Sequence, residues 1–431
     1  MPSEVRTIEV GYLTRVEGEG RMKVVARDGK VEEVVFSIFE PPRFFEAFLR
    51  GKHHSEAPDI TARICGICPV AYQMSSVHAM EHAFGVSVEG PLRDLRMLLY
   101  CGEWIESHAL HIYLLHAPDF LGYESGISLA QDHPDIVAMG LRLKKAGNEI
   151  VRVLGGREIH PVNVKVGGWY RLPTRAELDH LATVLDRVHD DAISTVALVA
   201  TFPMPDVSRT LEWVSTRYPG EYPMLGKTVV SSAGLDIPVH EWNDWFVEEH
   251  VARSNALHSR IKTRGSYETG PTARFNLNSE LLSPGAAAAA HQAGLTAPCT
   301  NPFQSIVVRA VETLHAVEAA LQIIDGYRAP AAPAIQFVEK AGEGCGASEA
   351  PRGTLFHRYR LDAKAMITDA QIVPPTAQNQ LSIEEDLRLV LEKHIAEPDD
   401  RLRTILEQSI RNYDPCISCA THFLELEVDR G

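Results

Sequence analysis

Long apolar runs are missing from this chain. No stretch of eighteen or more apolar residues occurs, so no segment is expected to span a membrane. The opening residues, Met1–Val10, hold no apolar core of the kind a secretory signal needs, which points to a cytoplasmic protein. Positive charge is scarce: 42 Lys and Arg stand against 57 Asp and Glu, a formal net charge of -15. A surface of that sign argues against a nucleic-acid partner, because phosphate binding needs a basic face. Cysteine is sparse too, with seven in 431 residues, which excludes a disulfide scaffold. No Gly-x-Gly-x-x-Gly stands in a strand–turn–helix setting, so no dinucleotide site is expected. No linker separates two compositions.

What remains is an ordinary globular composition, 45% hydrophobic and 23% charged. The length alone is a prior for two or three domains. The N-terminal part reads as sheet: Lys23–Ala26 and Val31–Ile38 are β-rich runs around Asp28-Gly29, a hairpin signal. Helical spacing follows. Pro91 stands at a first helical turn, Leu92, Leu95, Leu98 and Leu99 recur along one face, and the helix is expected to run to about His116. A second helix runs from Pro134 towards Leu154 and is stopped by Gly155-Gly156. Thr174 and Glu177 form a capping box opening a third, which continues to about Ala200. Pro302–Ile324 is a further helix, and the alanine tract Ala286–Ala290 is read as helical. Ser382 and Glu385 read as another capping box, opening a helix that Pro398 interrupts. Thr354–Val373 alternates as a short sheet, whereas 201–300 is mixed. The fold class is mainly α with smaller β elements.

Four of the seven cysteines form two C-x-x-C pairs, in Arg63-Ile64-Cys65-Gly66-Ile67-Cys68-Pro69 and in Asp414-Pro415-Cys416-Ile417-Ser418-Cys419-Ala420-Thr421-His422. Two residues between cysteines let both sulfurs turn to one ion, and four thiolates suit zinc, nickel or iron. A closed structural zinc site is one reading. Zinc ribbons, however, separate their pairs by about 15–20 residues, whereas 347 residues lie between Cys68 and Cys416 here. A buried functional centre assembled from distant parts of the chain accounts better for that spacing. It would also draw residues 1–431 into one interlocked domain. A thioredoxin-like redox pair would need a βαβ context that neither pair has. Cys101, Cys299 and Cys345 have no partner at ligand spacing and read as small buried hydrophobes. His108, His111 and His116 read as packing and hydrogen-bonding groups rather than a second metal site.

The two cysteine segments resemble the paired signatures of nickel–iron hydrogenase large subunits. Three further segments are similar to motifs of that family: Thr14-Arg15-Val16-Glu17-Gly18, Gly155-Gly156-Arg157-Glu158-Ile159-His160-Pro161 and Glu349-Ala350-Pro351-Arg352-Gly353. The five matches are in order and run from residue 14 to residue 422. The resemblance implies the large-subunit fold, with a central helix bundle and an N-terminal β-hairpin region. It is strongest for the cytoplasmic bidirectional group, above all its NADP-linked branch.

Splitting H₂ separates a proton from a hydride, so it needs a soft, electron-rich metal and a nearby base. The resemblance implies that Cys65, Cys68, Cys416 and Cys419 ligate nickel. Cys68 and Cys419 would bridge to an iron carrying CO and cyanide, and Cys65 and Cys416 would be terminal. Arg352, charged at every working pH, would stand over the open site, hydrogen-bonded by Asp119 and Asp414. Glu17 would relay protons. Glu46, His422 and, on a looser alignment, Gln380 would hold a separate magnesium or iron ion. Two departures are visible: Glu19 stands where many relatives carry histidine, and Tyr72 stands four residues after Cys68 where many have histidine. The family also implies an iron–sulfur small subunit, a flavin-bearing NAD(P) diaphorase with electron-transfer subunits, and a maturation protease that removes a tail, here 423–431. The alternative is a noncatalytic zinc or scaffold subunit of a redox complex.

Overall fold

The computed structural model describes residues 5–421. Its N-terminal sheet is antiparallel and three-stranded, Val5–Val10, Gly20–Arg27 and Lys30–Ile38 in that order. Asp28 and Gly29 both take positive φ, 48° and 74°, as a tight hairpin between right-twisted strands requires. Gly20, Met22, Val24 and Ala26 alternate inward along the middle strand. The expected hairpin is present; the first strand, Val5–Val10, extends it at the edge.

The long helices are α1 (Pro69–Phe84), α2 (Pro91–Leu110), α3 (Pro134–Gly155), α4 (Arg175–Ala200), α5 (Ser305–Gly326), α6 (Gln380–His394) and α7 (Asp399–Arg411). Helix α4 opens on the Thr174–Glu177 capping box, with Thr174 Oγ1 accepting from Glu177 N at 3.2 Å and Thr174 N donating to Glu177 Oε2 at 2.7 Å. Helix α3 ends where Gly156 turns left-handed. Helices α2, α3, α4 and α5 pack as a bundle, with α2 in contact with both α3 and α5. The α2–α3 crossing is close because both carry glycine there: a Cβ on Gly147 would lie 2.5 Å from Gly102 O. Helix α2 is buried on nearly every side, as its place in the middle requires. No helix of the described residues is long and apolar enough to cross a membrane.

The helix from Pro91 does reach the His116 region, but not as uniform α-helix. After Leu110 the ladder widens into a π-helical segment, His111–His116, and then resumes as Ala117–Leu121. Pro118 has no N–H to give and its ring crowds the carbonyl one turn back, which accounts for the wider spacing just before it.

The C-terminal sheet, Gly342–Ala350, Gly353–Leu361 and Ile367–Val373, is antiparallel in that order. Its first strand, Gly-Glu-Gly-Cys-Gly-Ala-Ser-Glu-Ala, has no β-branched residue and gives no strand signal in sequence. It pairs because its glycines let it lie against α1: a Cβ on Gly344 would fall 1.9 Å from Ala79 O. The expected capping box at Ser382 is corrected. Ser382 lies inside α6, its hydroxyl donates to Tyr267 O at 2.8 Å, and Glu385 instead accepts from Arg209 and Ser266. The mixed stretch holds two small sheets, Val214–Arg217 with Thr228–Ser231 and Asp236–Pro238, and Phe246–Glu249 with His258–Ile261. The larger apolar core runs from Ile8 to Ala420 and contains all four motif cysteines; a smaller one gathers Val214, Trp242, Phe356 and Val373. The architecture is α+β.

Candidate metal centre

Cys65 follows a 3₁₀ turn, Ala62–Ile64, in extended backbone, and Cys68 directly precedes α1, whose first residue is Pro69. The local fold turns the first sulfur inward: Cys65 Sγ accepts from Ile67 N and Cys68 N, both at 3.3 Å. Glu103, on α2, accepts from Val70 N at 2.6 Å and Ala71 N at 3.0 Å, so a buried carboxylate caps the helix that carries Cys68. The second pair follows α7. Asp414 takes φ 50°, a conformation Asp tolerates better than most residues, and the turn Ser418–Ala420 brings Cys419 back beside Cys416.

The pairs meet. The four sulfurs all lie within 4.8 Å of one another, and all four residues are buried. Cys65 Sγ stands 3.5 Å from Cys416 Sγ, and Cys416 Sγ 2.7 Å from Cys419 Sγ; none forms a disulfide. Hydrogen bonds from the other three thiols, led by Cys416, pull Cys65 well below the range of a free thiol, while burial first, with Cys65 adding to it, pushes Cys416 and Cys419 up. Four such sulfurs repel one another as thiolates unless a cation lies among them, and their softness matches nickel, iron or zinc.

The segment between the first two strands comes to the second pair. Glu17 O accepts from Ile417 N at 2.9 Å. Glu17 Oε2 lies 3.1 Å from Cys416 Sγ and accepts from Ser418 N at 3.0 Å. Gly18 (φ 89°) makes this approach possible, since a Cβ there would stand 2.7 Å from Ile417 Cβ and 2.9 Å from Ser418 N. Arg352 is 2% exposed. Its Nε donates to Asp414 O at 2.7 Å, and Asp414 Oδ1 and Oδ2 each stand 3.2 Å from the guanidinium. Burial opposes its charge, but Asp414 and the sulfurs of Cys416, Cys68 and Cys65 outweigh that and hold it above the ordinary arginine value. Its Nη1 is buried without a hydrogen-bond partner.

Asp119 requires a correction. Its carboxylate receives Arg411 Nη1 at 2.9 and 3.1 Å and also Arg15, not Arg352. The π-helical segment that precedes it carries it to the start of α7 and the N-terminal motif instead. Glu46 lies on the short helix Phe45–Leu49 and accepts from Ile372 N at 2.6 Å. Gln380 donates to Thr376 O at 3.0 Å and leaves its side-chain carbonyl buried without a partner. Thr376 in turn accepts from Cys416 N at 2.9 Å. His422 and the tail 423–431 lie outside the described residues.

Sequence reasoning missed three sets of residues. Arg43 ties the two cysteine loops together, donating to Ile64 O at 2.7 Å and to Ser418 O at 3.3 Å. Glu106, near Arg352, is pushed up to about 7 by burial, against the pull of Lys144, its partner at 2.8 Å. Arg274 binds Glu312 at 2.7 and 2.8 Å, Glu349 at 3.1 Å, and the carbonyls of Ala350 and Pro351 at 2.9 and 3.0 Å. That wholly buried network fixes the turn carrying Arg352. Nothing in the sequence marked Arg274; a buried arginine is visible only from its surroundings. The histidines of α2 and its continuation play the expected packing role. His108 binds Glu312 at 3.0 Å, His111 binds Arg411 O at 2.8 Å, and burial holds all three well below the usual histidine range, His108 at about 4. Tyr72 is buried, and burial followed by the sulfurs of Cys419, Cys68 and Cys416 keeps its phenol protonated. Cys101, Cys299 and Cys345 are buried thiols, each pushed up to about 12 by burial.

A buried four-sulfur pocket, joined from both halves of the sequence and faced by a buried arginine, defines a thiolate-ligated metalloprotein. The profile of nickel-dependent hydrogenases matches residues 43–134 and 297–422. The chain is 34% identical over 424 residues to sulfhydrogenase 1 subunit alpha of Pyrococcus furiosus, covering 97% of this chain and 98% of that one. It is 28% identical over 474 residues to the HoxS subunit beta of the NAD-reducing hydrogenase of Cupriavidus necator, covering 97% and 95%. A crystal structure of an NAD⁺-reducing [NiFe]-hydrogenase in the H₂-reduced state superposes with a TM-score of 0.86 at 26% identity, over 97% of this chain and 99% of that one. The chain belongs to the nickel-dependent hydrogenase family, as a large subunit.

Proposed function

We propose that this chain catalyses reversible heterolytic cleavage of H₂ and passes the electrons through an iron–sulfur small subunit to NAD(P). The observation that carries the reading is the meeting of Cys65, Cys68, Cys416 and Cys419 in one buried pocket, with Glu17 and Arg352 against it. The donor set fits nickel: all four sulfurs would hold it, and Cys68 and Cys419 would also help to hold an iron with its CO and cyanide. Bound there, such a centre supplies the electron-rich metal that polarises H₂. The chain's own residues do the rest. The Cys416 sulfur takes up the proton, and Glu17, 3.1 Å away, receives it and starts its way out. Arg352, fixed by Asp414, keeps a positive charge beside the sulfurs and a buried Nη1 with no hydrogen-bond partner. All four cysteines and Arg352 are buried, which keeps bulk water from the centre.

Glu46 and His422, with the free carbonyl of Gln380, are proposed to hold the magnesium or second iron ion. The partners proposed are the small subunit, a flavin diaphorase, and a protease that removes 423–431. A cytoplasmic enzyme whose four-cysteine domain spans 1–431 and whose acceptor is NADP is the form we favour. Support for the nicotinamide comes from the NAD-reducing relatives; the choice of NADP rests on the motif resemblance. Infrared spectroscopy of the purified complex tests the reading: bands of metal-bound CO and cyanide with equimolar nickel are expected, and a protein holding zinc alone would end it. In Cys416→Ala, H₂ uptake should vanish. Full activity in that variant contradicts the assignment.

A further inference from the structure

A second group of metal-ligating atoms stands at the surface, before the first cysteine loop. His53 and His54 are adjacent in sequence, yet both rings turn to the same carboxylate. His54 Nε2 lies 2.9 Å from Glu339 Oε1, and His53 Nε2 lies 3.5 Å from Glu339 Oε2. One ligand atom from each of the three residues falls within 4.8 Å of the other two. The two imidazole centroids are 4.4 Å apart. Neighbouring side chains diverge in a strand and point about 100° apart on a helix. Here they converge because His53 is the residue before a 3₁₀ turn, His54–Glu56, with extended backbone, and His54 is its first residue.

The three groups are held in place from outside. His54 is 4% exposed and wedged edge-on against Phe84, at 4.8 Å, and Phe337, at 6.0 Å; those two rings stack at 5.1 Å. His53 is fixed on its other nitrogen, with Nδ1 2.9 Å from Ser55 Oγ. Glu339 is half-exposed, so the open side of the group faces solvent.

We infer that His53, His54 and Glu339 form a site for a borderline divalent transition-metal cation of the zinc type, separate from the four-cysteine centre. Two imidazole nitrogens and one carboxylate suit zinc, and hard cations such as magnesium prefer all-oxygen sets. A tetrahedral zinc with bonds near 2.0–2.1 Å places its ligand atoms about 3.3 Å apart, between the two distances measured here. Without metal His53 Nδ1 accepts from Ser55 N at 3.5 Å; zinc on Nε2 moves the ring proton to Nδ1, which then donates to Ser55 Oγ. The fourth position falls on the solvent side and takes water. Such a site would clamp the segment before Cys65 to the irregular stretch that leads into the strand Gly342–Ala350. The inference stands whether or not the chain cleaves H₂.

The test is zinc uptake by the nickel-loaded complex, in which the cysteine centre is already filled. After equilibrium dialysis against Zn²⁺ and gel filtration, elemental analysis should find one zinc per chain beyond the amount in His53→Gln and Glu339→Gln, whose affinities should fall at least about tenfold. Both substitutions are at partly exposed side chains, and matching circular dichroism would show that the fold is kept. Co²⁺ provides the independent readout. Bound at this site it gives visible d–d bands without thiolate charge transfer, and those bands should be missing in both variants. Equal zinc uptake by wild type and variants, or a cobalt spectrum carrying only thiolate charge transfer, overturns the inference.

Discussion

Single side chains decide the chemistry at this site through what is buried beside them. Arg352 acts by a fork whose Nε is spent on Asp414 O and whose Nη1 is left free. Lysine keeps the charge but has no fork, so Arg352→Lys is expected to retain nickel and lose about a hundredfold in H₂ oxidation. Elemental analysis and activity measured on the same preparation check this. Glu17→Gln should leave the infrared bands in place while cutting turnover by about 10²–10⁴, the usual range for a lost proton acceptor. Glu268 shows what burial and a neighbouring carboxylate do together. Its pKa is raised to about 7, first by burial and then by Asp386. Because the folded value exceeds the unfolded one, its contribution is fully present below pH 4.5 and is lost as the pH rises through 7. The loss is on the order of 3 kcal/mol at most. Glu268→Gln should therefore flatten the slope of Tm against pH between 5 and 8, with its greatest advantage over wild type at the alkaline end. An unchanged slope would contradict the burial argument.

At the level of the elements, one interface positions the first cysteine loop. Helix α1 starts at the residue after Cys68 and lies in a groove made by Gly344 and Gly346. Gly344→Ala would drive a methyl group onto Ala79 O, and displacing backbone rather than a flexible side chain is expected to cost about 1–3 kcal/mol or more. The melting temperature and nickel content should fall together, since the strand and helix cannot separate without moving Cys68. Thr174→Ala, by contrast, removes one cap at the exposed start of α4. It should cost about 1 kcal/mol and leave the metal content alone. The same comparison explains which elements sequence patterns reveal. The α4 boundaries and the Asp28-Gly29 hairpin are local decisions, written in capping and turn residues. The strand Gly342–Ala350 is not, because its pairing depends on a helix more than 250 residues away. Ser382 and Glu385 have the spacing of a cap, but Tyr267 and Arg209 claim them once the chain is folded.

Across the whole molecule, the centre joins the N-terminal motif, the first cysteine loop, the Arg352 turn and the segment after α7. Arg43, Glu17 and the Arg352–Asp414 pair are among the protein's own ties between them, and metal bound to four thiolates would add another that the unfolded chain does not have. The nickel-loaded protein should therefore melt above the metal-free form, by an amount set by the metal's affinity; equal melting temperatures would mean that the loops close without it.

The sequence by itself determined the two cysteine pairs, the Thr174 cap and the family, since a C-x-x-C loop, a capping box and an Arg-Val-Glu-Gly run are legible at short range. Only the tertiary structure decided which charges face which. It assigned Asp119 to Arg411 and Arg15, brought Arg274 and Glu106 to the centre's support, and turned His53 and His54 onto Glu339. The reason is physical: a buried ion pair is selected by burial and by whatever the fold brings within about 3 Å, and neither quantity is encoded in spacing along the chain.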